Sequence, residues 1–106
     1  MWTVKILDDA VEAEIRALPE DLRARLGRAI DLIETEGLDR LPRDLVRHLE
    51  GKLWELRIQA RSGISRAIYV TANRKLVIVV RVFVKKTQKT PTKELAIARR
   101  RAKDIE

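Results

Sequence analysis

The hydrophobic spacing of this chain changes period once, and that change requires a fold containing both helices and a sheet. Leu22, Leu26, Ile30 and Ile33 recur every three or four positions, the repeat of one helix face. From Lys52 the repeat is two: Trp54, Leu56 and Ile58 alternate with Glu55, Arg57 and Gln59, as on the two sides of a strand. Helices with one apolar stripe and strands with one apolar side bury those surfaces against each other.

Local signals set the remaining elements. Thr3 to Leu7 alternates and reads as a short strand. Asp8 and Asp9 supply an N-cap and an acidic first turn for a helix through about Leu18. Pro19, Glu20 and Asp21 open a second helix, which Gly37 stops. Residues 38–51 contain Pro42, end at Gly51 and read as a connector; its His48 is expected to be structural or solvated. Three strands follow, Leu53 to Gln59, Ile64 to Ala72 and Leu76 to Val84, joined by turns at Arg61-Ser62-Gly63 and Asn73-Arg74. The last strand is nearly all apolar, which predicts a central position covered on both faces. Pro91 opens a final helix from Thr92 to about Ile105. The expected order is β-α-α-β-β-β-α: an α+β fold in one domain spanning residues 1–106, with an N-terminal helical hairpin packed on an antiparallel meander.

Only four aromatic residues are present, so the core must be built from Leu, Ile, Val and Ala. There is no cysteine, which excludes disulfides and thiolate metal sites. No stretch approaches the roughly 20 apolar residues of a membrane span, so no membrane partner is expected. The N-terminus lacks a basic start followed by a long apolar run, and the expected location is cytoplasmic. The net charge of +7 is unevenly spread. Residues 1–53 carry 9 Lys/Arg against 12 Asp/Glu, whereas residues 54–106 carry 14 against 4. A second half of that composition is either a solvated basic surface or the seat of a polyanion partner.

Glu55 and Arg57 stand two apart on one strand and share a face. Arg66 interrupts the next apolar strand and Arg81 the last. Three arginines on adjacent strands form a candidate phosphate-binding floor, because guanidinium forks match phosphate oxygens; the alternative is that Glu55 and one arginine simply pair across strands. Lys85-Lys86-Thr87-Gln88-Lys89-Thr90 then joins the last strand to the last helix, which adds Lys93 and Arg99 to Arg101. Arg81, Lys89, Lys93 and Arg100 are the expected RNA contacts.

The sequence has no Gly-rich phosphate loop, paired-histidine motif, serine elbow or magnesium-type carboxylate cluster, so neither a metal nor another cofactor is expected. A nuclease built from these residues would be metal-independent and would use the RNA 2′-hydroxyl as nucleophile. Glu55 is then the candidate base, Lys85 or Lys86 the candidate acid, and Arg57 and Arg66 the groups that stabilise the transition state.

Lys52-Leu-Trp-Glu-Leu-Arg57, Ser65-Arg-Ala-Ile-Tyr69, Val82-Phe-Val-Lys-Lys-Thr-Gln-Lys-Thr-Pro91 and Glu94-Leu-Ala-Ile-Ala-Arg99 together resemble the phage-derived, HigB-like branch of the RelE/ParE toxin superfamily. The resemblance covers the whole chain in element order and about residues 50–103 in motif. It implies a RelE-like domain acting as the toxin of a type II toxin-antitoxin system. Such a toxin cleaves mRNA on the ribosome and is neutralised by a cognate helix-turn-helix antitoxin. It also implies functional roles for Glu55, Arg57, Arg66, Lys85 and Lys86. Relatives often carry a tyrosine or histidine in or near the final helix; this chain has neither after Tyr69, which shifts the acid role to lysine. A ParE-like gyrase poison and a non-catalytic phage-derived binding protein are the alternatives on the same scaffold.

Overall fold

The computed structural model describes residues 1–86 and 90–105. The chain runs through β1 (Thr3–Ile6), α1 (Asp9–Arg16), α2 (Glu20–Glu36), two 3-10 turns (Leu38–Arg40 and Arg43–Leu45), β2 (Val46–Glu50), β3 (Leu53–Ala60), β4 (Gly63–Ala72), β5 (Leu76–Lys85) and α3 (Thr92–Ala102). The five strands form one sheet in the order β1-β5-β4-β3-β2. β1 runs parallel to β5, and the other neighbours are antiparallel. The α+β fold and its helical hairpin are as expected. The connector is not, because it contains β2, which extends the meander to four strands.

Asp8 caps α1 by accepting a hydrogen bond from the Val11 amide at 3.1 Å. Gly37 ends α2 at φ 100°, where a Cβ would stand 3.2 Å from the Trp2 ring. A side chain there would meet both the left-handed backbone and that ring. The hairpin packs Val11, Leu22, Leu26 and Ile33 onto Leu56, Tyr69, Val77 and Val79 of the sheet. α3 covers the opposite face, setting Ala98 and Ala102 in a second core with Ile68, Val70, Val80 and Phe83. Small residues on α3 let it approach the sheet closely.

A bulge makes the second layer possible. Tyr69 faces Val79, but the preceding residue, Ile68, faces Arg81, so Val80 is the extra residue of β5. Without it, strict alternation would send Arg81, Phe83 and Lys85 to the hairpin side with Val77 and Val79. With it, Val82 joins the hairpin core while Phe83 enters the α3 core. The register also brings Lys85 opposite Ile64, beside the Arg66–Phe83 pair. The side of β3 carrying Glu55 and Arg57 is therefore not an open polar surface. It is the floor of a layer partly roofed by α3.

Candidate active site

Arg57 faces Arg66 directly across β3 and β4, an arrangement of like charges that needs a counterion. Glu55, two residues earlier on the same side, supplies it. Its Oε1 lies 3.3 Å from Arg66 Nε, with the two side chains 0% and 3% exposed. The contact has the distance of an ion pair but not the alignment of a hydrogen bond. The other carboxylate oxygen accepts the Thr90 hydroxyl at 2.9 Å, tying the segment before α3 to the sheet.

Above this pair opens a cavity of about 580 Å³, lined by Asp44, Leu45, Arg57, Gln59, Ile64, Arg66, Lys85 and Lys86. Four of the five residues expected to carry chemistry thus meet in one place. The fifth, Glu55, is beneath them and outside the lining. Glu55, the expected base, is fully buried, with Arg66 on one side of its carboxylate and the Thr90 hydroxyl on the other. Its geometry is that of a counterion to Arg66.

Lys85 is buried at the edge of the cavity. Burial above all, and then the Arg66 guanidinium, hold its ammonium below the usual lysine value; Glu55 opposes this, while Arg57 and Arg47 add to it. Burial likewise lowers Arg66, with Glu55 pulling the other way and Arg57 and Arg47 reinforcing the shift. Lys86 is exposed on the cavity rim.

The expected RNA contacts are dispersed. Arg81 donates to Glu94 and Glu14, each at 2.6 Å. Burial opposes its charge, but these two carboxylates outweigh that penalty and raise its pKa. Arg81 is therefore turned into an internal network and does not line the cavity; the bulge sets that direction. Lys93 and Arg100 are exposed on α3 and also lie outside the lining. Lys89, with Thr87 and Gln88, falls outside the described residues. His48 contacts the Trp54 ring, with centroids 4.7 Å apart, and its Nε2 is 2.8 Å from the Gly51 carbonyl, a structural setting.

Two residues of the site come from the segment read as a connector. Asp44 is the one carboxylate in the cavity lining among the described residues. Arg47 pairs with Glu55 across β2 and β3 and so shares its side of the sheet. The alternation Val46, His48 against Arg47, Leu49 carries too little apolar contrast to mark a strand, so neither residue had a sequence signal of its own.

The profile of the family described as phage-derived protein Gp49-like matches residues 13–103. The chain belongs to the Gp49-like family. Its position in the RelE/ParE toxin superfamily follows from that membership together with two solved structures. The Gp49-like chain matches the E. coli toxin RelE, in a doubly Arg-to-Ala substituted form in the free state, with a TM-score of 0.64 and 20% identity over 94% of this chain and 96% of that one. It matches a chain of the archaeal RelE-RelB complex from Pyrococcus horikoshii with a TM-score of 0.53 and 26% identity over 78% of this chain and 93% of that one. No curated protein matches the Gp49-like sequence significantly. No helix among its described residues is long and apolar enough to cross a membrane.

Proposed function

We propose that this Gp49-like chain is the toxin of a type II toxin-antitoxin pair and cleaves mRNA on the ribosome without a metal ion. The observation that carries this reading is the convergence of Arg57, Arg66, Lys85 and Lys86 on one cavity, with a lysine of lowered pKa among them. In the reaction proposed, the RNA 2′-oxygen bonds to the adjacent phosphorus and the bond from phosphorus to the 5′-oxygen breaks. The proton of the 2′-hydroxyl passes to the Asp44 carboxylate. The Lys85 ammonium gives its proton to the departing 5′-oxygen. Arg57 and Arg66 neutralise the phosphorane oxygens, and Glu55 fixes Arg66 for that task. The products are a 2′,3′-cyclic phosphate and a 5′-hydroxyl. DNA lacks the nucleophile and survives.

The partner of this toxin is a cognate antitoxin, as the archaeal RelE of the matched complex has RelB. The motif resemblance points to the helix-turn-helix kind. The test is primer-extension mapping of mRNA ends after brief expression, alongside purified protein with ribosomes and with gyrase. Wild type is expected to create new ends, and Arg57→Ala and Lys85→Met to lose them while remaining folded. Intact mRNA with inhibited gyrase would establish the ParE-like alternative instead.

A further inference from the structure

The charge count places the cations in the second half of the chain, but the contacts use many of them internally. Arg66 faces Glu55, Arg81 faces Glu14 and Glu94, Arg99 faces Glu50, and Arg101 faces Glu14. Arg25 and Arg28 lie in the acidic half and behave differently. Both are exposed on α2, three residues apart and so on one helix face. Neither has an ion pair or side-chain hydrogen bond among the described residues.

They line a smaller cavity of about 230 Å³ with an apolar floor that includes Leu32, Pro42 and Ile58. That cavity shares Leu45 and Gln59 with the cation-lined cavity of the candidate active site, so the two adjoin at these residues. Lys93 and Arg100 on α3 line neither. Resting on the nuclease reading, we propose that Arg25 and Arg28 bind phosphates of the same single RNA strand beyond the cleaved bond. The strand crosses Leu45 and Gln59 and runs toward α2, not along α3. Two properties select RNA backbone as the occupant. The unpaired guanidiniums continue a row of phosphate-directed cations, and the apolar floor between them suits a sugar and the face of a base.

The test uses 2′-O-methyl oligonucleotides, which keep the phosphates but lack the attacking hydroxyl. A dinucleotide fills only the first cavity, whereas a strand of about ten nucleotides reaches α2. Binding is read by fluorescence anisotropy over a series of salt concentrations. The double variant Arg25→Gln/Arg28→Gln is expected to lower the salt slope of the long strand by about 1.4 and its affinity roughly 25-fold at 0.1 M, from about 0.7 per phosphate contact. Dinucleotide binding stays as in wild type, and Arg25→Lys/Arg28→Lys restores the long strand. An unchanged slope, or an equal loss for both lengths, overturns the proposal. If Arg57→Ala weakens both oligonucleotides while the α2 variant weakens neither, only the α2 track is wrong. If no variant changes binding, or wild type binds neither strand, the nuclease reading fails as well. An acidic peptide that competes at α2 in place of the long strand would identify a protein surface and also refute the track.

Discussion

Replacing Glu55 by alanine separates positioning from proton transfer. The variant leaves Arg66, only 3% exposed, without its facing carboxylate. Across 3.3 Å at an effective dielectric of about 20, the lost attraction is about 5 kcal/mol. Removing one partner of a buried pair costs about 3–5 kcal/mol in practice, a large part of the roughly 5–15 kcal/mol that holds a small protein folded. With a denaturant dependence of about 1–3 kcal/mol per molar urea, the unfolding midpoint should fall by on the order of 2 M.

The control is Glu55→Leu/Arg66→Met. It removes both charges, fills the space with apolar side chains, and should return to within about 1 kcal/mol of wild type, because the penalty lies in the unpaired ion. It should nevertheless remain inactive, having lost the Arg66 fork. Equilibrium urea unfolding of wild type, single and double variants provides the comparison. If Glu55→Ala costs less than about 1 kcal/mol, or if the double variant is no more stable than the single, the positioning argument fails. Glu55→Gln sharpens the result: a general base lost there would reduce kcat/KM by about 100-fold or more, whereas an anchor that keeps its Thr90 bond would lose less.

Lys85 has a folded pKa below its unfolded value of 10.5, so the unfolded chain binds the proton more tightly. Stability therefore rises with pH across the window that ends near that value, and the alkaline limb of kcat/KM falls below 10.5; Lys85→Arg moves the limb upward, as a pH-rate profile would show. Tyr69 gives the opposite sign. Burial raises its phenol from 10.0 to about 12, so the unfolded state ionises first and stability falls as pH rises through that interval, by roughly 2–3 kcal/mol. It is the sole tyrosine, so tyrosinate absorbance reads the transition directly, and an onset near pH 10 in the folded protein would contradict its burial.

Elements with a strong period were legible in the sequence. Asp8, the stripe from Leu22 to Ile33 and Gly37 marked the helical hairpin, and alternation marked β3 and β4. β2 was hidden because an edge strand needs little apolar content and its five residues are mostly polar. With it went Arg47 and, from the adjoining turn, Asp44. Alternation placed Glu55 and Arg57 on one side. It carried no information that α3 would cover part of that side, because closure by a distant helix is a tertiary event. The charge count had the same defect: a sum over residues contains no record of which carboxylate each guanidinium will meet.

The bulge at Val80 connects these two failures. In an unbroken β5, Arg81, Phe83 and Lys85 would follow Val79 into the hairpin core, where a cation has no counterion suited to it. One extra residue reverses their side. Phe83 then packs under α3, and Arg81 meets carboxylates from α1 and α3 that join both helices to the strand. Lys85 arrives beside Arg66. The same displacement that neutralises one cation for architecture brings another into the cavity, so their chemical roles differ although both are basic residues of one strand. The surroundings of each cation on β5 are therefore decided by strand phase, and the cations without a carboxylate partner among the described residues include Arg25 and Arg28, in the half whose net charge pointed elsewhere.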